Sequence, residues 1–227
     1  TVTAAPVDPS VIDGGMAAPG LLAWVATSKY LAHQPLYRLE QIAARQDVTL
    51  ARSTLSDWIG RIGFALQPLA ERLSELLQQR QSLHADETPV QQLDPGKGKT
   101  RRAYLWVYRS NDLEGGPPLI VFDYQTSRSG KHAAAFLEGW SGTLVVDDYA
   151  GYKSLLGDGV TEQACWAHAR RKFFDLDNGT PKGHPVAADI LSRIARLYEI
   201  EARGRACVSE ERKALREQEA IPELQSL

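Results

Sequence analysis

Two apolar stretches that favour β-structure each lead into an aspartate. Residues 82–93, SLHADETPVQQL, contain Asp86, and residues 143–148, TLVVDD, end in Asp147 and Asp148. A carboxylate carried into a sheet by a buried strand is costly to desolvate unless a cation or hydrogen-bond donors satisfy it. Two strands that each deliver an aspartate therefore predict one shared site for a divalent metal ion.

Paired carboxylates suit Mg²⁺ or Mn²⁺, because such hard ions bind oxygen and Mg²⁺ often takes only one or two protein carboxylates. Two ions about 3.5–4 Å apart can flank an in-line displacement at phosphorus, where one activates the attacking oxygen and the other stabilises the leaving oxygen. We expect Asp86 and Asp147 to hold them. Asp148 competes for the second position, although strand alternation would turn it to the opposite face. Alternatively, these acids only cap turns or pair with nearby arginines.

The elements that would position these acids follow from the order of the periodic segments. Three strands with short connections are followed by a helix, a fourth strand, a short helix or turn, a fifth strand and an amphipathic helix. A fourth strand that returns beside the first can be buried only if helices pack on the sheet. This order resembles an α/β fold of the ribonuclease H-like class, with a mixed five-stranded sheet that brings Asp86 close to Asp147.

Helical patterns precede this core. The first twenty residues are rich in Pro, Gly and Ala and are expected to be an extended lead-in to a helical region over 21–80. Within that region, residues 36–62 are typical of helix, turn, helix, and a separate longer helix is expected over 64–80. The hairpin fits a DNA-binding helix-turn-helix, and it also fits a purely structural hairpin. Three basic residues could contact phosphates: Arg45, Arg52 and Arg61.

Composition limits how the chain could bind nucleic acid. The chain has 227 residues, 43% of them hydrophobic, and a net charge of −2 from 26 basic and 28 acidic residues. DNA binding would have to come from local basic clusters, since the chain as a whole is not basic. Each of two clusters could contact DNA backbone or be an ordinary solvated surface. They are Lys97, Lys99, Arg101 and Arg102 in a Gly/Lys loop, and Arg170, Arg171 and Lys172.

The second basic cluster follows a C-x-x-H motif formed by Cys165 and His168. This motif could be half of a zinc site, but a structural zinc needs four ligands and the sequence offers no convincing second pair. A supporting role for His168 at the sheet edge is favoured instead. Two cysteines are also too few for a disulfide framework. No apolar run approaches the roughly 18 residues that span a bilayer, and the P-loop and dinucleotide-binding motifs are not found.

Several of these motifs together are similar to those of one family. ADETPV at 85–90, DDYAGY at 147–152 and ACWAHARRKFFDL at 164–176 resemble segments of the transposases of the insertion-sequence 66 group. Residues 21–61 and LYEIEA at 197–202 resemble further segments. The resemblance extends over nearly the whole chain.

The resemblance implies a DDE transposase, which cuts and joins DNA with Mg²⁺ or Mn²⁺ on a ribonuclease H-like core. It implies that Asp86 is the first catalytic acid and metal ligand and that Asp147 is the second. Asp148, Cys165 and His168 would support the site. The implied partner is double-stranded DNA at transposon ends, bound by a homo-oligomer in the bacterial cytoplasm or nucleoid.

The third acid of the family lies in an Asn-Asn-x-x-Glu-Arg segment after the LYEIEA helix, and no such segment occurs before Leu227. We therefore expect a fragment with two catalytic acids. Residues 81–177 would form the core and residues 178–227 an incomplete helical insertion, with Glu201 as a surface or packing residue. The alternatives are a DNA-binding module with a non-functional metal site and a metal-dependent nuclease of the same fold.

Overall fold

The computed structural model describes residues 10–157 and 159–227, so the expected lead-in before Ser10 lies outside the described residues. The chain divides into two compact units, one that ends at Arg72 and one over Leu73–Leu227. The expected division into lead-in, helical region, core and insertion stays a prediction.

The first unit is helical. It contains α1 (Pro19–Tyr30), α2 (Leu36–Ala44) and most of α3 (Arg52–Gln78). Val25, Leu39 and Leu55 are fully buried between these helices, and several partly buried side chains pack against them. The helical hairpin predicted from the apolar spacing is therefore present, while its role in DNA binding stays a prediction.

The third helix is longer than the sequence suggested. The second helix of the hairpin expected over 36–62 and the separate helix expected over 64–80 are one 27-residue helix with Pro68 inside it. An interior proline costs a helix about 3 kcal/mol. Packing on either side of Pro68 offsets this cost, because Leu55 and Leu77 are both fully buried.

The second unit is built on a five-stranded mixed sheet in the order β3-β2-β1-β4-β5. The first three strands are antiparallel neighbours, β4 runs parallel to β1, and β5 runs parallel to β4. The predicted α/β fold with a mixed five-stranded sheet is confirmed, as is the pairing of the first strand with the fourth. The strands are β1 (Ser82–Asp94), β2 (Lys99–Ser110), β3 (Ile120–Gln125), β4 (Gly142–Val146) and β5 (Val160–Ala164).

The β1–β2 hairpin corrects one prediction. The Gly/Lys loop was expected to run to Arg102, but β2 begins at Lys99 and only a short turn remains. Gly96 and Gly98 take positive φ angles of 85° and 62°, which this tight turn requires. Three of the four cations in the first basic cluster therefore lie on a strand.

The helices of the second unit follow the strands. Glu201 lies on the helix Pro185–Gly204 (α6) and accepts two hydrogen bonds from the Arg216 guanidinium, at 2.7 and 2.6 Å. The hydrogen bonds from Arg216 lower the pKa of Glu201 below its usual range, because their effect is larger than that of burial, which raises it. Glu201 thus joins two helical segments. The helices are α4 (Lys131–Phe136), α5 (Trp166–Asn178), α6 (Pro185–Gly204), α7 (Ser209–Leu215) and α8 (Ile221–Gln225), with a 3₁₀ segment at Ala150–Leu155.

The hydrophobic core lies against one face of the sheet. Side chains of β1, β2 and β4 face it at alternate positions, as the period of two requires. Members from these strands are Leu83, Ala85, Trp106, Tyr108, Leu144 and Val146, and α4 and the 3₁₀ segment add Ala133 and Tyr152.

His84 predicts a dependence of stability on acid. Burial, with a smaller contribution from the positive charge of Arg109, lowers the pKa of His84 below 6.5. Because the unfolded chain then takes up a proton at higher pH than the folded chain, the free energy of unfolding should fall as pH decreases below about 6.5. The loss should continue until folded His84 is itself protonated.

Urea unfolding of wild type and His84→Asn at about pH 8 and about pH 5 checks this expectation. The variant should lose less stability than wild type across that interval, whereas the exposed His33→Asn should behave as wild type. An equal loss in wild type and His84→Asn would contradict it.

Candidate metal site and DNA cleft

Asp86 lies on β1, and Asp147 directly follows β4, the parallel neighbour of β1. The β1–β4 register ends with the pair His84 and Val145. Asp86 lies two residues beyond that pair on β1, and Asp147 lies two residues beyond it, directly after the end of β4. Asp86 faces away from the core on β1, because the side chains of a strand alternate. Asp147 lies in the loop that follows β4.

An open cleft of about 410 Å³ lies at this end of the sheet. Asp147 and His168 line this cleft. Asp86 does not line it but lies next to His168, whose Nε2 is 3.9 Å from Asp86 Oδ2. Loops after β3 and β4 and the first turns of α5 supply the other walls. The lining includes Arg128, Asp148, Tyr149, Cys165, His168, Arg171, Lys172 and Asp175.

The C-x-x-H motif forms the start of α5. Cys165 directly precedes the helix, and its carbonyl accepts the N–H of His168 at 3.1 Å. This turn directs the imidazole towards Asp86. The imidazole Nδ1 is buried without a hydrogen-bond partner in the described part of the chain. Both residues thus lie at the cleft, where a supporting role was expected.

Each aspartate is held by one backbone N–H. Asp86 Oδ1 accepts the N–H of Glu87 at 2.9 Å, and Asp147 Oδ1 accepts the N–H of Tyr149 at 3.0 Å. Across residues 10–157 and 159–227, no group of three or more His, Cys, Asp and Glu side chains is placed to hold a metal ion. Two carboxylates that each keep one oxygen free fit Mg²⁺, which binds few protein ligands and keeps several waters. They do not fit a structural zinc site, which needs four protein ligands.

The buried carboxylate of this region is Glu87, whereas the sequence argument had assigned the desolvated acid to Asp86. Side chains of β1 alternate, so Glu87 faces the core with Leu83 and Ala85, while Asp86 faces outward and is 56% exposed. The Glu87 side chain is only 1% exposed. The apolar residues at alternate positions before Glu87, Leu83 and Ala85, were the signal that could have identified Glu87 as the inward-facing acid.

Two groups satisfy Glu87. The Tyr152 hydroxyl donates to Oε2 at 2.7 Å. Arg128 Nε donates to Oε1 at 2.7 Å, and Nη2 lies 2.6 Å from the same oxygen as an ion pair. Burial, followed by the bond to Glu87, raises the pKa of Tyr152, so the phenol stays a neutral donor. Sequence reasoning missed both partners, because neither is close to Glu87 along the chain.

Asp148 does not behave as strand alternation predicted. Since β4 ends at Val146, the period of two no longer applies, and Asp148 lines the same cleft as Asp147. Its side chain is 83% exposed and pairs with Lys153 at 3.1 Å. Asp148 therefore already has a cation.

The residues predicted to contact DNA lie in two places. Arg171 and Lys172 line the cleft, and Arg170 lies over the ring of Phe174. The β1–β2 hairpin carries the others, all of them exposed: Lys97, Lys99, Arg101 and Arg102. Contact between either group and DNA stays a prediction.

Two of the three cations suggested for the helical hairpin already have carboxylate partners in the first unit. Arg52 pairs with Glu40 at 3.1 Å, and Arg61 pairs with Asp57 at 2.8 Å. Both pairs are exposed, so they would exchange readily for phosphate.

Comparison with known proteins identifies the family. Residues 14–227 match the family described as Transposase IS66 family. Two relatives come from Sinorhizobium fredii (strain NBRC 101917 / NGR234). Uncharacterized protein y4qI is 36% identical over 229 residues, which cover 96% of this chain and 42% of the relative. Uncharacterized protein y4jD is 36% identical over 236 residues, which cover 100% of this chain and 46% of the relative.

The chain thus spans less than half the length of these two relatives. Among the helices of the described residues, none is long and apolar enough to cross a membrane. The resemblance noted from the motifs around Asp86 and Asp147 is confirmed, and the chain belongs to the Transposase IS66 family.

Proposed function

We propose that this chain is part of a DDE transposase and carries two of its catalytic acids on a ribonuclease H-like core. The reaction would be metal-dependent cleavage and joining of DNA strands. The observation that supports this most strongly is the cleft that Asp147 and His168 line, where His168 Nε2 lies 3.9 Å from Asp86 Oδ2. Membership of the family and the mixed strand order agree with it.

Asp86 and Asp147 would hold Mg²⁺ or Mn²⁺, each through the oxygen that its backbone N–H leaves unused. When bound, such ions stabilise the attacking and leaving oxygens at phosphorus. The chain's own contribution is orientation. The N–H groups of Glu87 and Tyr149 fix the two carboxylates, and His168 packs beside Asp86.

Double-stranded DNA at transposon ends is the proposed substrate, and a homo-oligomer the proposed active complex. Arg171 and Lys172 would attract DNA phosphates into the cleft. The cations of the β1–β2 hairpin would contact the DNA backbone outside the cleft. Binding should then weaken steeply as salt rises, since each phosphate contact releases counterions.

Calorimetric titration with Mn²⁺ tests the metal site. Wild type should give a measurable heat, and Asp86→Asn and Asp147→Asn should each abolish it, because the amide keeps the shape but removes the charge. Asp148→Asn should retain the heat, which decides between the two neighbouring aspartates. Asp112→Asn, an exposed acid that does not line the cleft, serves as the control for the loss of one charge.

A flat trace with wild type would contradict a working metal site in this chain. If DNA binding persisted in that case, a DNA-binding module with a non-functional site would be favoured.

A further inference from the structure

We propose that Arg128 is a ligand of a DNA backbone phosphate in the cleft beside Asp147, and that buried Glu87 and Tyr149 hold it in position. This inference rests on the proposed function, since it takes the substrate to be DNA.

Arg128 is placed to bind more than Glu87. Its side chain is 45% exposed, while that of Glu87 is 1% exposed. Nε donates to Glu87 Oε1, and Nη2 lies 2.6 Å from the same oxygen as an ion pair. Arginine has five N–H donors in a planar fork, and within the described residues Nη1 donates to no group. Because Arg128 also lines the cleft, the Nη1 side of its guanidinium is available to a ligand there.

The guanidinium is held by a second residue of the site. It stacks on the Tyr149 ring, 3.9 Å from the ring centroid, and the Tyr149 hydroxyl donates to the Arg128 backbone carbonyl. The N–H of the same tyrosine holds Asp147. Tyr149 therefore fixes Arg128 and Asp147 relative to each other.

The chemistry of the cleft favours a phosphate as the ligand. Arginine binds phosphate oxygens through parallel N–H groups, and a guanidinium already held in place loses little freedom on binding. Asp147 and Asp148 would repel a nearby phosphate, and a fixed cation at the same wall offsets that repulsion. The competing explanation is that Arg128 only neutralises Glu87.

Fluorescence anisotropy with a labelled duplex DNA of arbitrary sequence separates the two explanations. The titrations are done in EDTA over a series of KCl concentrations, so that no metal site is required. Arg128→Gln should reduce the slope of log affinity against log salt by about 0.9, the value for one lost contact with duplex DNA. Arg203→Gln should leave the slope unchanged. Arg203 also binds a carboxylate, that of Glu219, with two donors, but it does not line this cleft.

Arg128→Lys separates binding from folding. A lysine can pair with Glu87 but lacks the fork that would reach a phosphate at the same time. The variant should melt closer to wild type than Arg128→Gln does, and it should show the same reduced slope. If Arg128→Gln fails to fold, the lysine variant alone decides.

Slopes that match wild type in both variants would overturn the inference and leave Arg128 as the counter-ion of Glu87. A wild type that binds no duplex at any salt would overturn the proposed function as well. A wild type that binds DNA but gives no heat with Mn²⁺ would count against the metal site alone.

Discussion

Gly130→Ala is expected to lower the free energy of unfolding by about 3 kcal/mol, the upper range for overpacking of a filled interior. A Cβ at this position would lie 2.1 Å from the carbonyl oxygen of Gly151 and 2.8 Å from its carbonyl carbon. Both atoms are backbone, so no side chain can rotate to relieve the overlap. The loop before α4 and the 3₁₀ segment after β4 would have to separate.

The separation would reach the site directly. Gly130 lies two residues after Arg128, and Gly151 lies between Tyr149 and Tyr152. Moving these segments apart would disturb the stack of Arg128 on Tyr149 and the hydroxyl bond from Tyr152 to Glu87. We therefore expect Gly130→Ala to weaken the Mn²⁺ heat as well as the fold.

Urea denaturation and the calorimetric titration measure the two effects. Gly63→Ala is the matched control, because a Cβ at that position in α3 meets nothing within 4 Å. Alanine there should stabilise the helix by about 0.5–1 kcal/mol. A Gly130→Ala variant as stable as wild type would contradict the close approach of the two loops.

The strands were predictable from the sequence because their side chains alternate and their ends carry turn residues. The expectation that β1 and β4 are neighbours came from the likeness of the element order to the ribonuclease H-like fold. The longer span of α3 could not be foreseen, since Pro68 is a local signal to stop and the burial of Leu55 and Leu77 is a tertiary effect. The same limit applies to β2, where pairing with β1 extends the strand back to Lys99.

The sequence motifs single out two acids, whose role stays a prediction, but they say nothing of the side chains around those acids. The motifs named Asp86 and Asp147, but the network beneath them joins Glu87 to residues 41 and 65 positions away along the chain. Contacts between residues so far apart along the chain produce no pattern in the sequence that could predict them. The parity of Leu83, Ala85 and Glu87 did carry information, since alternation along the strand puts all three on the same face.

The second large effect is expected at Glu87 itself. Removal of one member of a buried ion pair costs about 3–5 kcal/mol, but Arg128 is 45% exposed and could return its charge to water. We therefore expect Glu87→Ala to lower the free energy of unfolding by about 2–3 kcal/mol. Part of this loss would come from the fully buried Tyr152, whose hydroxyl would lose its acceptor.

Glu87→Gln is the matched variant, because it keeps the shape and one acceptor oxygen but removes the charge. It should cost less than Glu87→Ala, and the difference between them measures the packing and the bond from Tyr152.

A double-mutant cycle of Glu87→Gln with Arg128→Gln then isolates the ion pair. Because each single variant leaves one charge without its partner, the two losses measured by urea denaturation should exceed the loss of the double variant. A coupling energy of at least about 0.5 kcal/mol is expected for residues in direct contact. A smaller value would mean that the guanidinium and the carboxylate act independently. In that case Glu87 could not be the residue that holds Arg128 towards the cleft, and Tyr149 alone would have to fix it.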